Sequence, residues 1–183
     1  EIPLDNLHRI DARKEFCATM IAPLICANGC YQHGYHLTSA ISIPLIATLS
    51  VEKAKFIGAD CVVHGFAGND ALRFLTGVRA LTSDIEVNNI AQVCGSRTKK
   101  NADGYTISRN MAGISIEAGS LTNPSSKSDF FTIAEILGVT LPISEKLHEE
   151  ICTITFKSGV PVALNGAANE LPIILEKLNA LGL

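Results

Sequence analysis

Residues 61–70 read Cys-Val-Val-His-Gly-Phe-Ala-Gly-Asn-Asp. The apolar residues at the start predict a buried strand over Cys61–His64, and the glycines predict a turn over Gly65–Asn69. Helical periodicity then predicts a helix from Asp70 to Leu81. In α/β folds, ligands bind beyond the carboxyl ends of the strands, where a glycine turn opens a helix. Asn69 and Asp70 are also good helix caps, so a plain capped turn fits the same residues.

The flanking segments predict more elements of the same α/β type. Leu7–Asp11 predicts a short strand, and residues 12–26 predict a helix with a polar start and an apolar end. Thr38–Gly58 predicts an amphipathic helix that ends at Gly58, and Ile85–Val93 predicts another strand. This order of strands and helices favours an α/β fold with a mostly parallel sheet.

A second unit is predicted after a polar, turn-forming linker. Its first residues, 105–119, carry hydroxyl, carboxylate and Arg side chains, and by composition they predict only a polar loop. Residues 151–156 and 160–164 predict a hairpin around a glycine turn, and Leu171–Leu181 predicts a closing helix. The predicted division is residues 1–94, the linker 95–104 and residues 105–183.

Composition excludes several classes of function. The chain has 183 residues, a net charge of −3 and scattered basic residues, so it offers no electrostatic footprint for nucleic acid. Its apolar runs are far shorter than the roughly 20 residues needed to span a bilayer, so no membrane partner is expected. The six cysteines are dispersed, several within apolar runs, which favours free thiols in a reducing compartment. We therefore expect a cytoplasmic protein.

A group of cysteines and histidines lies within residues 26–36. Cys26, Cys30, His33 and His36 offer the thiols and imidazoles that a tetrahedral zinc prefers. A structural zinc site normally separates its two ligand pairs by a longer segment, and here the ligands are crowded together. The spacing therefore predicts an ordinary loop, with Cys26 packed as a small hydrophobic residue and no bound metal. Metal analysis should find well under one zinc per chain, and stoichiometric zinc would contradict this prediction.

Six stretches in chain order resemble the motifs of one enzyme family, the argininosuccinate synthases. These ATP-dependent C–N ligases join citrulline to aspartate. Residues 11–16 resemble the family's D-A-R-E-E-F, and residues 31–35 with 44–47 resemble Y-E-x-R-Y with R-P-L-I-A. Residues 58–65 with 69–74 resemble G-A-D-x-V-A-H-G with N-D-x-x-R-F. Residues 105–110, 115–119 and 156–163 resemble Y-S-x-D-x-N, S-x-E-x-G and F-x-x-G-x-P-V-A, respectively. The resemblance covers nearly the whole chain.

The resemblance implies a fold and a set of binding residues. Residues 1–94 would be the remainder of an adenine nucleotide alpha hydrolase-like domain, and residues 105–183 the start of an α+β synthetase domain. The family adenylylates the citrulline ureido oxygen with ATP and Mg²⁺, and aspartate then attacks, without a covalent protein nucleophile or a protein-bound metal. The implied positions are Tyr35, Asn69, Arg73, Thr106 and Ser115 for citrulline, Asn69 and Asp70 for aspartate, Gly65 and Gly68 for ATP, and Ser39 and Glu117 as further pocket residues.

The chain also departs from the family pattern. The phosphate-binding S-G-G-L-D-T-S loop is not found within it, and the turn after His64 lacks a Lys-Gly pair. Ala67 stands at a threonine position and Ala40 at a serine position, although Ser39 is adjacent. We therefore expect these residues to be part of a longer catalytic unit, a homotetramer in the full-length family protein, and to be inactive by themselves. The alternative is a degenerate, non-catalytic homologue that binds an amino acid or a partner protein.

Overall fold

The computed structural model describes residues 6–31, 36–90, 105–118 and 151–181. Helices and strands alternate along the first half, and three antiparallel pairings and a final helix make up the rest. The helices are α1 (Arg13–Phe16), α2 (Ala22–Cys26), α3 (Ser42–Ile57), α4 (Gly68–Leu81) and α5 (Leu171–Leu181). The strands are β1 (Cys61–His64), β2 (Glu86–Asn89), β3 (Tyr105–Asn110), β4 (Gly113–Ala118), β5 (Ile154–Lys157), β6 (Val160–Leu164) and β7 (Ala167–Ala168).

The strand predicted over Leu7–Asp11 is wrong. Within the described residues this segment pairs with no other strand, and Leu7 and Ile10 are exposed. The Asp11 carboxylate instead turns back onto Arg13, accepting hydrogen bonds from its backbone N–H and its guanidinium. These bonds lower the pKa of Asp11 to about 2. The segment is thus a lead-in to α1.

The first helix contains a π-helical turn, Cys17–Ile21, between α1 and α2. The backbone N–H of Ala22 bonds the carbonyl of Cys17, five residues back, and Pro23 follows directly. Proline has no N–H and its ring crowds the preceding turn, so a widened turn lets the helix continue through it. The apolar run predicted as helix therefore stays helical across its proline.

The strand–turn–helix prediction for residues 61–81 is confirmed, and it lies in a parallel α/β unit. β1 pairs with β2 in parallel, from Cys61 opposite Glu86 to His64 opposite Asn89. Helix α3 ends at Gly58, whose φ of 70° suits a left-handed C-cap, as predicted. Helices α3 and α4 pack closely at Gly77, where an added Cβ would lie 2.9 Å from the Cβ of Ala47. The core of this unit comprises Ile43, Ala47, Val51, Ala54, Phe74, Val78 and Ile85.

Residues 105–118 form a hairpin, so the prediction of a polar loop is wrong. β3 and β4 are antiparallel and fully paired from Tyr105 opposite Ala118 to Asn110 opposite Gly113. The Asn110 side chain closes the turn by accepting from the Ala112 N–H, and its amide donates to the Thr38 carbonyl at 2.6 Å. The hairpin turn is thereby fixed against the segment that precedes α3.

The C-terminal predictions of a hairpin and a helix are confirmed. β5 and β6 meet at a turn in which Ser158 and Gly159 both have positive φ, and α5 spans Leu171–Leu181 as predicted. Helix α5 and the β3–β4 turn pack onto a second apolar cluster built from α1, the π turn and α3. In this cluster, burial raises the pKa of the Cys17 thiol. Across the described segments, no helix is both long and apolar enough to cross a bilayer.

Candidate functional site

The site candidate that contains most of the predicted binding residues near α4 is a cavity of about 410 Å³ at the start of that helix, which we call the α4 cavity. One wall comes from the turn after β1 and the first two turns of α4, with Ala67, Gly68, Asn69, Asp70 and Arg73. The facing wall comes from the segment between α2 and α3, with Tyr31, His36, Leu37, Ser39 and Ala40. Its volume is in the range of about 300–1,000 Å³ that small-molecule sites occupy.

The turn below the cavity leaves the α4 N-terminus without a side-chain cap. Ala67 is the N-cap, with extended backbone angles, and among the described residues no side chain caps the first amides of the helix. Gly68 follows with a φ of 52°, and a Cβ added there would meet nothing within 4 Å. Asn69 and Asp70 lie inside the first turn, so they are not the capping residues that the sequence also allowed. Their position makes them available to a ligand in the cavity.

His64 supports this turn from beneath. Its Nδ1 accepts a hydrogen bond from the Phe66 N–H at 3.2 Å, and its ring packs against Phe66 and Phe74 with centroid distances of 5.6 and 4.8 Å. Burial lowers the pKa of His64, since charging the imidazole between apolar rings is costly. From β2, the Asn89 amide donates to the Phe66 carbonyl at 2.7 Å. Both strands therefore hold the turn that begins α4.

The charges of the cavity are Asp70 and Arg73, which pair with each other. Arg73 Nη1 donates to Asp70 Oδ1 at 2.7 Å, one helical turn away, and Arg73 Nη2 donates to the Tyr31 hydroxyl at 2.8 Å. The Arg73 and Asp70 side chains are 36% and 33% exposed, so the pair faces solvent in the cavity. Asp70 and Arg73, which the resemblance implies for aspartate and citrulline, thus neutralise one another in this structure.

The structure brings together five of the residues predicted for the site. Ser39, Gly68, Asn69, Asp70 and Arg73 all line the α4 cavity.

The other predicted site residues do not line it or are described only in part. Gly65 lies in the turn but outside the cavity wall, and Ser115 is buried on β4 at 4% exposure. Thr106 and Glu117 are opposite each other in the β3–β4 hairpin, where only their backbone is described. Tyr35 lies outside the described residues. The citrulline roles of Tyr35, Thr106 and Ser115 stay predictions.

Three cavity residues, Tyr31, His36 and Leu37, were missed from the sequence. Tyr31 is the first residue of the motif that resembles Y-E-x-R-Y and His36 follows its last, and only the second tyrosine of the motif was taken as a ligand contact. A signal existed for Tyr31, since it opens that motif. Nothing in the sequence indicated that its hydroxyl would reach Arg73, which is 42 positions away.

Two members of the group of cysteines and histidines, Cys30 and His36, lie opposite each other in an isolated antiparallel bridge. Among the described residues, no three His, Cys, Asp or Glu side chains are placed to hold a metal ion. His33 lies outside them, so the zinc prediction is still to be tested by metal analysis. The expectation that Cys26 packs as a small hydrophobic residue is wrong, because Cys26 is exposed and its thiol lies 3.7 Å from the Ser158 carbonyl. The chain turns out to solvent at the end of α2, so the apolar run does not bury its last residue.

Comparisons with known proteins match both halves of the chain. The family model for the arginosuccinate synthase N-terminal HUP domain matches residues 3–110, and that for the C-terminal domain matches residues 105–182. The argininosuccinate synthase of Symbiobacterium thermophilum is 35% identical over 189 residues, and that of Methanocaldococcus jannaschii is 36% identical over 188 residues. These alignments cover 93% and 94% of the chain but 46% of each relative, so the chain spans just under half the length of the curated relatives it matches. With a parallel strand–turn–helix unit ahead of an antiparallel one, and with both family models matched in that order, the protein belongs to the argininosuccinate synthase family.

Proposed function

We propose that this chain supplies the amino-acid-binding part of an ATP-dependent ligase that joins L-citrulline and L-aspartate. The products would be argininosuccinate, AMP and pyrophosphate. The observation that carries the proposal is the α4 cavity, where Asn69, Asp70 and Arg73 converge at the carboxyl end of a parallel strand. A ligand site at that end of the strand is what an open α/β sheet provides.

The cavity has the charges that an amino acid requires. A free amino acid carries a carboxylate and an ammonium, which are recognised by a guanidinium and by a carboxylate. Arg73 and Asp70 offer this pair 2.7 Å apart. A zwitterion can bind both groups, its carboxylate to the remaining donors of Arg73 and its ammonium to the remaining acceptor sites of Asp70, whereas a simple acid or amine would match only one of them. The Asn69 amide adds a donor and an acceptor for aspartate or citrulline.

ATP would approach the same end of the strand, at the glycine turn. Gly68 leaves open space where a side chain would otherwise stand, and the backbone amides of the first turn of α4 can face a phosphate. Gly65 and Gly68 are the residues of this chain proposed to line the ATP turn, and Mg²⁺ would arrive on the phosphates. In the reaction ATP activates the citrulline ureido oxygen. This chain's residues would hold the two amino acids so that the aspartate amine faces the activated carbon.

Several wider features belong to the same proposal. Residues 1–94 would complete a nucleotide-binding domain and residues 105–183 would begin an α+β synthetase domain, within a homotetramer of the full-length protein. Cytoplasmic location is supported by five described cysteines, Cys17, Cys26, Cys30, Cys61 and Cys152, all of which are free thiols.

A second candidate function is amino-acid binding without catalysis. Ala40 and Ala67 line the α4 cavity at positions where the family pattern has hydroxyls. An alanine side chain has no hydroxyl, so these two positions cannot make the hydrogen bonds to aspartate or citrulline that a Ser or Thr side chain could make. This observation favours a degenerate site with weaker or altered binding.

Calorimetric titration combined with a pyrophosphate-release assay tests both candidates. Citrulline and aspartate should bind the protein, and Asp70→Asn should weaken aspartate binding by about tenfold, the usual cost of losing one charge-assisted hydrogen bond. Asp84→Asn is the matched control, since Asp84 lies in the loop after α4 and accepts from Ser83. The release assay is run on the longer catalytic unit, with a phosphate-binding loop present, because these residues are expected to be inactive by themselves. In that unit, pyrophosphate release from ATP that requires both amino acids identifies a ligase, and binding without release identifies the non-catalytic homologue. Absence of binding refutes both.

A further inference from the structure

Tyr31 links two separate parts of the chain across the α4 cavity. Its hydroxyl accepts a hydrogen bond from Arg73 Nη2 at 2.8 Å, so the segment after α2 contacts the second turn of α4 directly. Through Nη1, the same guanidinium donates to Asp70 Oδ1 at 2.7 Å. The planar group is therefore held at both Nη atoms, by a carboxylate from its own helix and by a phenol from the opposite wall.

The bonds at both Nη atoms fix the plane in which the Arg73 guanidinium presents its remaining N–H donors. A guanidinium carries five N–H groups in a rigid fork, and these two bonds use two of them. The long Arg side chain otherwise loses rotamer freedom when a ligand immobilises it. A guanidinium that is already oriented binds a carboxylate at a lower entropic cost, which is the general advantage of preorganisation.

The Tyr31 ring contributes little to packing, so the effect of its hydroxyl can be tested separately from the effect of its ring. Tyr31 is 43% exposed and is not part of either apolar cluster. Replacing it with Phe keeps the ring and removes the hydroxyl that accepts from Arg73. The loss should therefore appear in the orientation of Arg73 and in binding, with little change in stability.

We propose that Tyr31 is a positioning residue that orients the Arg73 guanidinium for the carboxylate of the bound amino acid. This inference rests on the proposed function, because it assigns Tyr31 to the recognition step of that same site. Tyr31 acts through Arg73, so its contribution to affinity exists only when the guanidinium is present.

A double-mutant cycle with calorimetric titration of citrulline tests this dependence. Tyr31→Phe should weaken citrulline binding about fivefold in the native background, as expected for one hydrogen bond, and less than twofold in the Arg73→Lys background. Thr48→Val is the control, since it removes a hydroxyl that bonds the Pro44 carbonyl on α3, away from the cavity. Equal losses in both backgrounds, or no loss in either, would overturn the proposal.

A second measurement reads the orientation of Arg73 without any ligand. The Nε–H order parameter of Arg73 by ¹⁵N relaxation, assigned from the signal lost in Arg73→Lys, should fall in Tyr31→Phe and stay constant in Thr48→Val. An unchanged order parameter would refute the positioning role even if citrulline did not bind. Absence of citrulline binding by the native protein would refute the proposed function instead, so the two failures are distinct.

Discussion

Replacing Arg73 with Lys should weaken citrulline binding while leaving the fold almost unchanged. Lys offers a compact, strongly hydrated ammonium and cannot reproduce the planar fork that reaches Asp70 and Tyr31 at 2.7 and 2.8 Å. Loss of a hydrogen bond to a charged group costs about 1.5–3 kcal/mol, which corresponds to a rise in Kd of about 10- to 150-fold. The Arg73 and Asp70 side chains are about a third exposed, so solvent screens their pair and its loss should cost less than about 1 kcal/mol of stability.

Isothermal titration with citrulline measures the first effect, and urea unfolding measures the second. Arg79→Lys is a matched control on the same helix, because Arg79 lies in the last turn of α4, away from the cavity, and its hydrogen-bond partner within the described segments is the Ser83 carbonyl, at 3.5 Å. The control should leave the citrulline Kd within about twofold of the native value, since surface changes away from such contacts have small effects. Equal Kd values for the native protein, Arg73→Lys and Arg79→Lys would show that Arg73 does not recognise citrulline. That result would refute the role proposed for Arg73 in the α4 cavity.

Three further changes have expected outcomes. Ala67→Thr should raise the free energy of unfolding by about 0.5–2 kcal/mol, because Thr caps a helix better than Ala, and calorimetry should show tighter aspartate binding than in Ala67→Val. The native protein should lose stability as the pH falls below about 6.5, where the unfolded state binds a proton that the partly buried His64 resists because burial lowers its pKa. In urea unfolding at pH 7 and 5, that loss should shrink in His64→Asn but not in the exposed control His8→Asn. Gly77→Ala should lower stability by about 1 kcal/mol, since overpacking against Ala47 outweighs the helix propensity of Ala, and an equal or higher unfolding midpoint would contradict this.

The elements predicted well from the sequence are those whose stabilising contacts are local or strongly periodic. Helix α3 shows its buried face as a repeat of apolar residues and ends at Gly58, where the left-handed backbone requires glycine or asparagine. The turn between β5 and β6 is marked by Ser158 and Gly159. In these places the residue type that the backbone demands is visible without knowledge of the tertiary contacts.

The elements predicted wrongly depend on partners that the sequence does not show. Leu7–Asp11 has the apolar residues of a strand, but a strand forms only where another strand pairs with it. The polar composition of residues 105–118 predicts a loop, although residues 105–108 and 114–117 alternate apolar and polar residues as strands do. Their pairing is fixed by Asn110 at the turn and by its bond to Thr38. A hydrogen bond across 72 positions leaves no local pattern to read.

The same distinction explains how much of the candidate site could be predicted. Asp70 and Arg73 are three residues apart on a helix, so their proximity follows from helical geometry, whereas Tyr31 reaches them only through the tertiary fold. The sequence could not decide between capping and ligand roles for Asn69 and Asp70, because that choice depends on where the helix begins.

Helix α4 begins earlier than predicted, with the alanine Ala67 as its N-cap, and this determines the character of the site. An alanine cap is worth about 1 kcal/mol less than a hydroxyl cap and offers no acceptor to the first amides of the helix. The Asp70 carboxylate, in the first turn, offsets part of the cost through the helix dipole. Because alanine has no side-chain acceptor, it leaves the first backbone amides of the helix free to donate to an anionic ligand. The alanine that departs from the family pattern therefore weakens the isolated helix while making its N-terminus more dependent on what binds there.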